Sequence, residues 1–273
     1  MRSRAVLVVG MHRSGTSAVA RGIATLGVFL GNDFLDAQPE NPTGYWEDKG
    51  IVELDERVLR ALDLRWDDVA PIAPAAFRRF RIRMLHAAAV RYVKRTFASH
   101  PIWGFKDPRT IRLLPFWRSV LRKCDADDAY VVAIRNPRSV EVSLFRRQSM
   151  DAATAQRLWL AHMVPYLRLI RGRPMVVVDY DLLMGEPGAQ LERIARALNL
   201  PEPDPREIDR FAAEFLNETL RHSVFDPADV GAASDLGRRT QRAYRLLYDL
   251  ATDRLAPNEA FWRAWQEIES SPS

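Results

Sequence analysis

The chain has 273 residues, room for a generous α/β domain, and its 47% hydrophobic and 27% charged content excludes a disordered or collagen-like polymer. Its 40 Lys and Arg against 35 Asp and Glu give a formal charge of +5, which favours anionic ligands. The single cysteine, Cys124, excludes an internal disulfide framework, a cysteine zinc cluster and a CxxC redox pair.

Arginines interrupt every apolar run well short of the ~18 residues a membrane span needs, so no integral membrane segment is expected. The apolar stretch 5–9 after Met1-Arg2-Ser3-Arg4 is also shorter than the ~7–15 residues of a signal-peptide core. Residues 5–10 (AVLVVG) are instead predicted as a first strand, buried on both faces, and the expected location is the cytoplasm. A helix over 15–26 follows, with Val19, Ile23 and Leu26 on one stripe. The stretch 31–46, rich in Asn, Asp, Pro and Gly, is a loop, and helical periodicity runs over 47–62 and 76–98. Residues 102–106 (IWGFK) predict a second strand, with a helix near 110–123. A third strand at 129–134 (AYVVAI) leads through Arg135-Asn136-Pro137 into another helix. A long helix near 151–171 precedes a fourth strand at 175–179 (MVVVD). Beyond 186 the pattern is helical, broken at the proline-rich 201–205. No repeat or Gly/Ser linker divides the chain, so one domain over 1–273 is expected.

Strands alternating with helices predict a parallel sheet with helices on both faces. Ligands of such sheets bind beyond the carboxyl ends of the strands. Polar clusters fall at three of those ends, at 11–17, 106–109 and 135–143.

The first cluster, Gly10-Met11-His12-Arg13-Ser14-Gly15-Thr16-Ser17, has the spacing G-x-x-x-x-G-T-S between a strand and a helix. It differs by one residue from the phosphate-binding loop G-x-x-x-x-G-K-[ST], because Thr16 stands where the lysine would be. Backbone N–H groups, the helix N-terminus and the hydroxyls still suit a phosphate. A triphosphate-cleaving site is compromised without the lysine. In the second cluster Arg135 leaves the strand and Ser143 lies about two turns into the helix, an arginine fork and a hydroxyl suited to a second phosphate. Taken alone, Arg135 reads as a helix-start arginine beside Pro137; beside the first loop, the phosphate reading is preferred. Asp179 ends a hydrophobic run like the aspartate of a P-loop kinase, or simply caps a helix.

Together, Arg13-Ser14-Gly15-Thr16-Ser17, the set Arg135, Pro137 and Ser143, and Val178-Asp179-Tyr180-Asp181-Leu182-Leu183 with Pro187 resemble the PAPS-dependent sulfotransferase superfamily. PAPS is 3′-phosphoadenosine-5′-phosphosulfate, and PAP is the product left after sulfuryl transfer. The resemblance spans about 5–200. It implies an α/β, P-loop-like three-layer fold with a central parallel sheet flanked by helices and a helical C-terminal part. It also implies metal-independent transfer of a sulfuryl group to a hydroxyl, with helical elements at about 31–100 and 201–273 forming the acceptor side. Arg13 would neutralise the leaving 5′-phosphate, and Ser14, Gly15, Thr16 and Ser17 would hold it. Arg135 and Ser143 would grip the 3′-phosphate.

Lys106-Asp107-Pro108-Arg109 departs from the cytosolic small-molecule members, whose catalytic histidine stands where this chain has Pro108. It is similar instead to carbohydrate- and protein-modifying members, in which a glutamate is the base. The resemblance gives Lys106 a contact with the transferring group and makes Glu47 the candidate base, with Asp48, His12 and His222 as alternatives. Without it, Lys106 is a solvated lysine at a strand end and Glu47 a first-turn acid favoured by the helix dipole. His86, His100 and His162 complete the histidine set. Trp46, Trp66, Phe77, Phe80 and Tyr92 could stack on a sugar or lipid acceptor or belong to the core. A small-molecule or glycan acceptor is expected and a nucleic-acid partner is not. A P-loop nucleotide kinase and a catalytically inactive PAP- or nucleotide-binding protein remain alternatives.

Overall fold

The computed structural model describes residues 2–38, 41, 43–216, 225–226, 230 and 236–271. Its sheet has four strands, β1 (Ser3–Gly10), β2 (Ile102–Lys106), β3 (Ala126–Ile134) and β4 (Met175–Asp179). They pair in parallel in the order β2-β1-β3-β4. The register aligns Val8 with Lys106 and with Val131, and Ile134 with Asp179, so the polar strand ends share one edge.

The apolar run of β1 divides by the two-residue period of a strand. Val6 and Val8 pack into a core with Val19 and Ile23 of α1 (Thr16–Thr25) and Leu191 and Ile194 of a later helix, Pro187–Leu198. Ala5, Leu7 and Val9 face the opposite core. That core takes in α2 (Lys49–Ala61), α3 (Phe80–Thr96), α4 (Leu114–Lys123), α5 (Pro137–Gln148) and α6 (Ala152–Leu167). Both faces of the sheet are therefore covered, giving three layers. The remaining helices among the described residues are α7 (Tyr180–Gly185), α8 (Pro187–Leu198), α9 (Pro205–Phe215), α10 (Arg238–Ala251) and α11 (Glu259–Ser270).

Strands β2 and β4 fall where the sequence puts them, and the prolines at 201 and 205 separate α8 from α9. Strand β3 begins earlier than expected, at Ala126. Its charged Asp128 hides the strand from a hydrophobicity pattern, but Arg118 (3.1 Å) and Arg173 (3.3 Å) neutralise it. The helix expected near 110–123 starts at Leu114, after a 3-10 turn over Pro108–Ile111 that Asp107 caps. The helix expected over 76–98 divides into a 3-10 turn (Pro74–Arg78) and α3. The one expected over 151–171 ends at Leu167 and tightens into a 3-10 turn (Arg168–Ile170). Helix α2 begins at Lys49, so Glu47 precedes the helix rather than opening it, and Asp48 is the cap.

Candidate active site

Beyond the carboxyl edge of the sheet lies a cleft of roughly 690 Å³. Its floor is the loop between β1 and α1. Gly10 is needed there because a Cβ would stand 2.4 Å from the Ala133 carbonyl oxygen of β3. Arg13 and Gly15 have φ of 67° and 79°, which folds the loop tightly enough to aim α1 at the cleft. Gly15 also lies under Tyr180, whose ring would be 2.2 Å from an added Cβ.

Three of the predicted residues meet in one contact. Lys106, from the end of β2, donates to Glu47 Oε1 at 2.5 Å and to Ser17 Oγ at 3.1 Å. Lys106 and Glu47 are both buried and both line the cleft. Desolvation of a buried ion pair largely offsets its attraction, so this one is poorly explained as a stabilising device. Facing a cleft, it supplies a cation, a carboxylate and a hydroxyl to one point.

A second contact joins residues assigned to different phosphates. Arg13 Nε donates to Ser143 Oγ at 2.8 Å, so the two expected phosphate sites are bridged by a direct bond. Arg135 is buried at the end of β3, with its guanidinium 4.6 Å from the centre of the Tyr180 ring. Ser14 is buried, and among the described residues its Oγ has no hydrogen-bond partner. Gly15 offers α1 no side-chain cap. The N–H groups of the first turn therefore lack intrahelical acceptors. An orphaned hydroxyl, an uncapped helix start and Arg13, Arg135 and Lys106 around the cleft fit a ligand carrying phosphate or sulfate groups.

The alternative bases fare differently. Asp48 Oδ1 accepts from Ile51 N (3.0 Å) and Tyr92 Oη (2.5 Å), which assigns it to capping α2, and burial pushes its carboxyl above the usual range. His12 lines the cleft with its ring 4.5 Å from Trp66 and 5.7 Å from His162. Burial, together with His162, Arg109, Lys106 and Arg147, holds it well below the usual imidazole range, so it is neutral and a poor proton acceptor. His162 is pushed down to about 3, first by burial and then by Arg112. His100 stacks on Phe29 at 3.6 Å and His86 meets Ser119. His222 lies outside the described residues.

Asp179, the kinase-like aspartate, caps α7 by accepting from Asp181 N and Leu182 N, and Tyr244 donates to its other oxygen. Of the aromatic residues considered for the acceptor, Trp66 faces the cleft. Trp46 packs between Phe34, Phe215 and Arg21, Tyr92 serves Asp48, Phe77 packs against the core, and Phe80 is exposed on the outer surface. The sequence reading missed Arg147 as a cleft residue and had Tyr180 in view only as part of a motif. Tyr180 had a usable signal, since it follows the last residue of β4 at the same edge.

No family model matches the chain, and no curated protein is similar to it. Among solved structures, the sulfotransferase domain of the Synechococcus PCC 7002 olefin synthase is 17% identical, with 100% of this chain and 98% of that one covered and a TM-score of 0.47. The sulfotransferase domain of the curacin biosynthetic pathway is 13% identical, with 98% of each chain covered and a TM-score of 0.44. Retinol dehydratase, in complex with androsterone and the inactive cofactor PAP, is 14% identical, with 98% of this chain and 80% of that one covered and a TM-score of 0.39.

Proposed function

We propose that the protein is a sulfotransferase that moves a sulfuryl group from PAPS to a hydroxyl of a small-molecule or glycan acceptor, with a carbohydrate or glycolipid favoured. The observation that carries this reading is the buried meeting of Lys106, Glu47 and Ser17 beside a phosphate loop that lacks the kinase lysine. The use of Asp179 as a helix cap weighs against the kinase alternative.

In the reaction, the bond from the acceptor oxygen to sulfur forms while the bond from sulfur to the 5′-phosphate oxygen breaks. Glu47 takes the acceptor proton, and Lys106 and Arg13 meet the charge that develops on the transferring and leaving oxygens. Ser14, Gly15, Thr16 and Ser17 hold the 5′-phosphate, and Arg135 with Ser143 holds the 3′-phosphate. Donors arranged beforehand need no reorganisation as charge moves, so such a site works without a metal.

PAP at 100 times its Kd should stabilise the fold by ~2.7 kcal/mol, visible as a rise in Tm. Adenosine 5′-phosphate and ATP with magnesium should do so much less at the same concentration. Equal shifts from PAP and adenosine 5′-phosphate would remove the roles given to Arg135 and Ser143. Incubation with PAPS and panels of sugars, glycolipids and small alcohols, read as the mass gain of one sulfo group, identifies the acceptor.

A further inference from the structure

The outer face of α3 has no role in the cleft, and its composition is unlike the rest of the chain. Between Asp68 and Asp107 the sequence contains no acidic residue, while Arg78, Arg79, Arg81, Arg83, Arg91, Lys94 and Arg95 all fall there and are all exposed. Phe80, Met84, Ala87, Arg91 and Arg95 follow the helical repeat along one exposed stripe. Phe80 is 74% and Met84 60% exposed, two of the four large hydrophobic side chains that stand exposed among the described residues. They border a shallow hollow of roughly 330 Å³ shared with Leu85, Arg57, Arg60 and Arg81.

Most carboxylates on this side are already engaged. Glu53 pairs with Arg57 (3.3 Å) and Asp63 with Arg79 (3.5 Å), while Asp55 is buried against Thr110 and Trp117. The net field of the face is positive.

We infer that this face of α3, with Arg57 and Arg60 of α2, docks the protein on an anionic lipid bilayer. Protruding apolar side chains ringed by arginines suit a surface whose acyl zone lies beneath a layer of negative headgroups. The arginines can lay their stems along the apolar groups and keep the guanidinium in the headgroup layer. A second copy of the chain is a poorer occupant, because a two-fold contact would set this cationic face against itself. Among the described residues no helix is long and apolar enough to cross a membrane. Helix α2 separates this face from the cleft, with Arg57 and Arg60 on one side and Glu56 on the other. The docking does not depend on the donor chemistry.

Flotation with vesicles tests it on the full chain. The protein should float with vesicles of phosphatidylcholine and phosphatidylglycerol in equal parts, not with pure phosphatidylcholine, and high salt should weaken the binding. Each arginine near an anionic surface is worth about fivefold in partition, so Arg60→Gln/Arg81→Gln/Arg91→Gln should lower binding on the order of a hundredfold. Phe80→Ser/Met84→Ser should lower it independently, and circular dichroism melting of both variants checks that they fold as the parent does. Absence of flotation with the anionic vesicles, or wild-type binding by both folded variants, would overturn the inference. So would a concentration-dependent dimer that Phe80→Ser/Met84→Ser dissociates in the absence of vesicle binding, which would give the face to a second copy.

Discussion

The start of α1 is built unlike the starts of α2, α5, α7 and the 3-10 turn after β2. Those four are closed by Asp48, Asn136, Asp179 and Asp107, whose side chains accept from a backbone N–H two or three residues on. Each cap has a sequence neighbour that lines the cleft: Glu47, Arg135, Tyr180 and Lys106. Within each pair one residue completes the scaffold and the other faces the cleft. At α1 the cap is Gly15, which has no side chain to offer, and Ser14 beside it keeps an unbonded hydroxyl among the described residues. There the helix start itself is left for a ligand. A carboxylate at a strand end is thus no mark of catalysis, and an uncapped helix start at the same edge is the better pointer to a ligand site.

The pair Glu47 and Asp48 gives the largest contrast between these two roles. Glu47→Gln keeps a hydrogen-bond acceptor for Lys106 but removes the basicity. A general base is worth about 10²–10⁴-fold, so turnover should fall at least a hundredfold, with PAP affinity held within about twofold. Asp48→Ala should do the reverse. Losing the cap costs about 0.5–2 kcal/mol and lowers Tm by several degrees, with turnover nearly kept. Steady-state kinetics, PAP titration and thermal melting read the two variants side by side. Near-normal turnover in Glu47→Gln would dissolve the division of roles at its most important pair.

Arg135 and Asn136 give a smaller effect on a different quantity. An arginine that grips the 3′-phosphate does so in ground and transition states alike, which makes its contribution uniform binding. Hydrogen bonds to charged groups are worth about 1.5–3 kcal/mol, so Arg135→Ala should weaken PAP binding roughly tenfold to a hundredfold. Its effect on kcat should be slight, and its effect on adenosine 5′-phosphate binding slighter still. Calorimetric titration with both nucleotides separates the cases. Equal losses for the two ligands would place Arg135 on a group they share.

Much of this arrangement was legible in the sequence, and for a physical reason. Strands β2 and β4 are unbroken apolar runs, and the loop Gly10–Gly15 is constrained by backbone approaches that only certain residues permit, so local sequence carries them. The meeting of Glu47 with Lys106 joins positions 59 residues apart, and the bond from Arg13 to Ser143 joins positions 130 apart. No local pattern encodes such contacts, and only the shared strand edge hinted at them. Tyr180 was in view as part of a motif but its role was not, since packing over Gly15 is a tertiary fact. The early start of β3 was hidden because Asp127 and Asp128 resemble a turn until Arg118 and Arg173 are brought beside Asp128.

The pair Asp179 and Tyr180 carries an effect that appears in stability rather than activity. Burial, reinforced by Asp181, raises the Asp179 carboxyl from 3.8 to about 7 against the opposing bonds of its cap. The folded protein therefore holds this proton more tightly than the unfolded chain does. The associated stability is fully present below the unfolded value and is lost as pH rises through about 7. Asp179→Asn keeps an oxygen for Asp181 N and Leu182 N but cannot ionise. Its Tm relative to the parent should therefore climb between about pH 4 and about pH 8. Asp107, raised to about 6 mainly by burial, is present in both proteins and cancels in the comparison. A constant difference across that range would mean that Asp179 keeps its charge throughout, favoured by the helix start it closes. In that case Asp179 would act as an anion that neutralises the positive end of α7, in contrast to the open start of α1.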